Sequence, residues 1–256
     1  MVLLRALAYP LHRNNLWVMS VGVAAFFLPQ AVAWLFPLGG LVAALVQILL
    51  VLYFALFFQN ILEASMAGKV EFPAWPEQSG GSSFLESILS FLGPYIVSFL
   101  PLIVLRCAYA NFGKLGSQGF GLIQVFLSGP IPMVVPQVPA WFEPVSWMLA
   151  GAGLIYLPMA LLVWSFFGGN AVLNPWTVIR FALRAGGSYA LLVGLIAALL
   201  FGWWIGVGLL SALPVEWMRS ILTVFSLFYV LCVVMRMIGL LYFENRHRLQ
   251  WEAARR

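Results

Sequence analysis

Between Leu16 and Leu62 the chain carries no charged residue, and four further long apolar windows follow at 84–106, 145–167, 189–210 and 220–243. A helix needs about 20 apolar residues to cross roughly 30 Å of hydrocarbon. The first run is long enough for about two crossings at 1.5 Å per residue, and Phe36-Pro37-Leu38-Gly39-Gly40 at its middle suits a tight turn. The pattern therefore predicts an all-α, polytopic membrane bundle with one integral membrane domain over 1–256. Its six transmembrane helices are expected at about 16–36, 40–62, 84–106, 145–167, 189–210 and 220–243. A polar loop, 63–83, joins the second span to the third, and Pro94 and Pro101 are expected to kink the third.

The segment 107–144 is apolar over Phe120–Trp141, but Gly129-Pro130, Pro132, Pro136 and Pro139 interrupt its backbone hydrogen bonding. Irregular backbone facing lipid costs several kcal/mol per unsatisfied group. An interfacial or re-entrant path is therefore expected over a seventh crossing. The start of the chain, with Arg5 and Arg13 before an apolar run and Ala31-Val32-Ala33 beyond it, has the look of a signal peptide. The apolar run continues through Pro37, so this segment is expected to remain as the first span.

Charge placement sets the orientation. Six crossings put Arg5, Arg13, Lys69, Arg180, Arg184, Arg246, Arg248, Arg255 and Arg256 on one side and only Arg106, Lys114 and Arg219 on the other. Basic residues mark the cytoplasmic side, so both termini and loop 63–83 are expected in the cytoplasm, with 107–144 outside. A seventh crossing would export the tail arginines. Met1–Arg13 and Asn174–Arg184 mix apolar residues with arginines, as a helix lying in the headgroup layer does. Trp17, Trp34, Trp141, Trp147, Trp203, Trp204, Trp217 and Trp251 fall near predicted span ends, where aromatic belts form.

Composition narrows the chemistry. Of 256 residues, 63% are hydrophobic and 8% charged, too few charges to build a water-facing surface. The net charge of +5 sits at span ends, so no nucleic-acid partner is expected. There is no aspartate, the two histidines lie near the termini, and no metal, Walker or hydrolase motif occurs. Neither an enzyme nor a cofactor is expected. Cys107 and Cys232 match no metal or redox spacing and read as small apolar residues.

An ionisable group inside a span is a functional hypothesis by default, and Arg236 is the clearest case, eight residues before Glu244. Its expected partner is Glu63 or Glu86, with Gln59 or Asn60 completing the hydrogen bonds. Gln47 reads as interhelical glue, and Gly202 with Gly206 forms a GxxxG pair suited to close helix packing.

Three stretches together resemble an uncharacterised family of multi-pass bacterial inner-membrane proteins of unknown function. They are Asn60-Ile61-Leu62-Glu63-Ala64 with Gly68 and Phe72-Pro73-Ala74-Trp75-Pro76; Pro158-Met159-Ala160 with Leu173-Asn174-Pro175, Val178-Ile179-Arg180 and Tyr189; and Gly239-Leu240-Leu241-Tyr242 with Arg248-Leu249-Gln250-Trp251. The resemblance implies the fold and a bacterial inner membrane, but no activity. Pro73, Trp75 and Pro76 form a candidate docking surface. The function expected is a non-enzymatic structural or accessory subunit of a larger membrane complex, with the lipid bilayer and other membrane subunits as partners. The alternative is a transporter or lipid-handling protein using Arg236.

Overall fold

The structure, a computed structural model, describes residues 6–11, 13–29, 39–69, 71, 73, 81–109 and 139–249, with the backbone alone at 13–14, 39, 41, 81–91, 108–109, 170 and 248–249. Every described element is helical. A 3-10 turn, Tyr9–Leu11, precedes α1 (Arg13–Phe26), α2 (Gly39–Met66), α3 (Gly81–Tyr109), α4 (Phe142–Phe167), the short α5 (Gly169–Leu173), α6 (Pro175–Ala185), α7 (Gly187–Leu210) and α8 (Glu216–Leu249). Five expected windows lie inside α2, α3, α4, α7 and α8, which extend them by a few residues at their ends. The first window, 16–36, is helical to Phe26, and its remainder from 30 on lies outside the described residues, as does 110–138 of the Pro-rich segment. Residues 142–144, expected in that segment, form the first turn of α4.

Four stretches, Val42–Met66, Phe142–Phe167, Gly187–Leu210 and Glu216–His247, are long and apolar enough to cross a membrane, and Asn15–Phe26 and Leu92–Cys107 are shorter apolar helices. Leu45, Leu49, Ile103, Val104, Phe201 and Leu209 point outward from them. Such helices belong in hydrocarbon, and the chain is a membrane protein in contact with the lipid bilayer.

The centre of the bundle is a long seam between α2 and α8. Phe228, Cys232, Arg236, Gly239 and Phe243 recur at steps of three and four, so one face of α8 meets one partner throughout. Phe228 sets its ring edge-on to Phe54 at 4.7 Å and tilted against Phe58 at 5.6 Å. Further along, a Cβ on Gly239 would lie 2.3 Å from Ser65 Cβ and 2.7 Å from the Leu62 carbonyl oxygen. Only glycine permits that crossing. Phe243 then covers Gly68, where a Cβ would fall 2.4 Å from its ring. Residue numbers rise together on both helices, so α2 and α8 run parallel.

The second tight pair runs the other way. Gly93 of α3 accommodates the Trp164 ring, and Gly153 of α4 faces Phe99 and the Ser98 carbonyl. Numbers rise on α3 as they fall on α4, so these helices are antiparallel. α1 is antiparallel to the seam, with Gly22 against Phe228 and Tyr9 beside Arg236. α7 and α8 form a hairpin in which Trp203 Nε1 donates to Ser226 Oγ at 3.1 Å. Phe166 lies against Tyr242 at 4.5 Å, which brings the carboxyl ends of α4 and α8 together. One end of the bundle thus carries Lys69, Arg180, Arg184 and Arg246, while Arg106 and Arg219 lie at the other.

α6 forms as the sequence implies. Asn174 accepts a hydrogen bond from Trp176 N at 3.1 Å, and Pro175 occupies the first helical position. The amino-terminal segment packs on the bundle in its described part. Ala6 and Tyr9 are buried, and the Tyr229 hydroxyl donates to the Leu7 carbonyl at 2.7 Å, so residues 6–11 lie against α8, while Leu7 and Leu11 stay exposed.

Candidate functional site: a guanidinium held at a helix end

Arg236 is 6% exposed, within the apolar length of α8. The opposing end of α2 is shaped to receive it. Gly68 adopts φ +72°, Gly68 N donates to the Ser65 carbonyl and Lys69 N to the Ala64 carbonyl, each at 3.0 Å. These two bonds and the left-handed glycine make a Schellman close, which turns the chain sharply after the last helical residue. The turn presents the Lys69 carbonyl to α8. Arg236 Nη1 donates to that carbonyl at 2.5 Å and to Ser65 Oγ at 3.1 Å.

Ser65 Oγ in turn donates to the Ile61 carbonyl, leaving its lone pairs free to accept from the arginine. The third wall is aromatic. Arg236 Cζ lies 4.6 Å from the centroid of the Tyr9 ring, within the range of a cation–π contact. Tyr9 is itself fixed: its hydroxyl donates to the Glu71 carbonyl at 3.4 Å, and its own carbonyl accepts from Asn15 Nδ2 at 2.6 Å. Burial pushes the Tyr9 hydroxyl up to about 12, against a smaller lowering by the positive charge of Arg236.

These described partners do not include Glu63, one of the two expected carboxylates. Among the described residues no carboxylate lies within ion-pair distance of Arg236. Glu63 is exposed and accepts from Gln59 Nε2 at 3.0 Å, a pairing one turn apart along α2. Asn60 is half-buried on α2, and Glu86 stands on α3 with its side chain outside the described residues. The physical reason is geometric. Glu63 faces out of the seam, whereas Ser65 and the turn after Met66 face into it. The carboxyl end of a helix carries roughly half a negative charge, which partly offsets the cation without an acid.

Of the candidate docking surface, Pro73 is half-buried, while Trp75 and Pro76 lie outside the described residues. Sequence reasoning missed Tyr9, Ser65 and the Lys69 carbonyl. Gly68 near the end of an apolar run was the available signal, since a glycine there marks a helix close whose free carbonyls seek donors.

Gln47 Nε2 and Ser146 Oγ are buried with no hydrogen-bond partner among the described residues, so the amide nitrogen of Gln47 joins none of the described helices. A Cβ on Gly202 or Gly206 would meet nothing within 4 Å among the described residues, so their close packing partner does not lie there. Among the described residues no cluster of His, Cys, Asp or Glu is arranged to hold a metal ion. The Arg236 site offers dipoles and an aromatic face to a fixed cation. That arrangement can bind segments together. No family model, curated protein or solved structure matches the chain.

Proposed function

We propose that the chain is a non-enzymatic structural or accessory subunit of a larger assembly in the cytoplasmic (inner) membrane of a bacterial cell. The observation that carries this reading is the outer face of α7. Only Tyr189, Leu192 and Ile196 of that helix are buried. Gly194, Ala198, Gly202 and Gly206 recur at every fourth position, and a Cβ on each of the three glycines meets nothing within 4 Å among the described residues. Small residues at that interval let a neighbouring helix backbone approach closely. Within the chain the tight crossings fall elsewhere, at Gly93, Gly153 and Gly239. The α7 ridge, uncovered by the described residues, suits the approach of another polypeptide.

Six spans with both termini in the cytoplasm fit the helix directions. Parallel α2 and α8 require an odd number of crossings between them, which α3, α4 and α7 supply. Antiparallel α3 and α4 are what an interfacial or re-entrant path over 107–144 requires. The basic end, with Lys69, Arg180, Arg184 and Arg246, is then the cytoplasmic one.

The test is extraction from native membranes in mild detergent. The chain is expected to bring other membrane proteins at fixed stoichiometry. Gly202→Leu with Gly206→Leu should abolish that association while leaving the thermal stability of the isolated chain unchanged. A chain that emerges alone, or an association indifferent to both substitutions, overturns the reading.

A further inference from the structure

α6 has three faces where its sequence suggested two. At about 100° per residue, Val178, Phe181 and Ala185 share one side, and all three are buried. Phe181 stacks on Phe167 of α4 with ring centroids 5.6 Å apart. The apolar face expected to enter the headgroup layer is thus already used in packing against the bundle. A second apolar strip lies roughly 160° around the axis: Trp176, Ile179 and Leu183, which are 66%, 43% and 72% exposed.

Between the two strips stand Arg180 and Arg184, both exposed. One turn apart, their Cβ atoms are about 5–6 Å from each other. The helix contains no acidic residue, and among the described residues no carboxylate pairs with either arginine. Arg184 is held over the Phe181 ring, its Cζ 5.6 Å from the centroid, which fixes one guanidinium beside its neighbour.

We propose that α6 is a binding site for an anionic phospholipid, with Arg180 and Arg184 gripping the headgroup phosphate and Trp176, Ile179 and Leu183 lying against its acyl chains. The three sides of the helix meet three media. The buried strip meets protein, the exposed apolar strip meets lipid, and the arginine edge meets the headgroup layer. Paired guanidinium groups suit a phosphate because each offers parallel N–H donors to its oxygens. A strip that large and apolar is unsuited to water, and the arginines beside it select the charge of the lipid it meets. This inference rests on the membrane location of the chain and is independent of the subunit proposal.

The experiment places a bimane on Leu183→Cys in a Cys107→Ser background; Cys232 has no exposed surface and stays unlabelled. The whole chain is reconstituted in phosphatidylcholine vesicles with increasing phosphatidylglycerol, one lipid brominated at a time. Brominated phosphatidylglycerol is expected to quench the bimane at lower mole fraction than brominated phosphatidylcholine. That preference should fall by about fivefold for each of Arg180→Gln and Arg184→Gln, shrink in high salt, and survive Arg180→Lys with Arg184→Lys. Inorganic phosphate should not compete. Equal quenching by both lipids, no quenching by either because water or protein covers the strip, or displacement by free phosphate would each overturn the proposal. The glutamine variants sit on an exposed edge, so an unchanged melting temperature separates lost binding from lost folding.

Discussion

A guanidinium buried among apolar helices keeps its charge, so something must stabilise it where it lies. At Arg236 the stabilisers are a helix-terminal carbonyl, a serine hydroxyl and the face of Tyr9. Replacing Arg236 with Met removes the cation and leaves the Lys69 carbonyl without its donor. The cost should be about 1–3 kcal/mol, read as a lower melting temperature in detergent. Arg236→Glu should cost more, about 3–5 kcal/mol, because a carboxylate then faces carbonyl oxygens. Adding Glu63→Arg should not rescue it, since Glu63 points out of the seam; rescue by that second change would show the carboxylate to be the true partner. Gly239 answers to sterics alone. Gly239→Ala drives a methyl into Ser65 and the Leu62 carbonyl, and should destabilise by about 1–3 kcal/mol.

At the scale of elements, the ends of the helices were the most readable feature and their contact faces the least. The α6 cap at Asn174-Pro175 is local chemistry, carried by residues adjacent in sequence. Asn174→Ala should loosen that helix by about 1 kcal/mol, visible as faster amide exchange over its first turn. The GxxxG pair in α7 was equally visible but named no partner, because the spacing states only that a close approach is possible. The close approaches inside the chain are made by single glycines, Gly93, Gly153 and Gly239, whose partners lie in distant segments. No spacing within one helix can reveal such a partner. Arg236 was singled out for the same local reason, as a charge in an apolar run. Its partners stayed hidden because two of them are a backbone carbonyl and an aromatic ring, groups that carry no charge to search for.

For the molecule as a whole, the apolar windows sufficed to place five helices, since length and absence of charge follow directly from what hydrocarbon tolerates. Orientation has a direct check. With Cys107 replaced, single cysteines at Lys69 and Arg246 should react with a membrane-impermeant maleimide from one side, and those at Arg106 and Arg219 only from the other. Labelling of Lys69→Cys and Arg219→Cys from the same face would dissolve the six-span scheme. The parallel seam also has a bearing on biogenesis. Arg236 reaches a carbonyl 167 positions earlier in the chain, and every element of α8 that meets α2 is synthesised after all the others. The nascent α2 therefore waits in the membrane with its serine, its closing glycine and its aromatic row uncovered until α8 is released. Shielding that surface in the interval falls to lipid or to the insertion machinery, and a chain stalled before Arg236 should be a preferred target for membrane quality control.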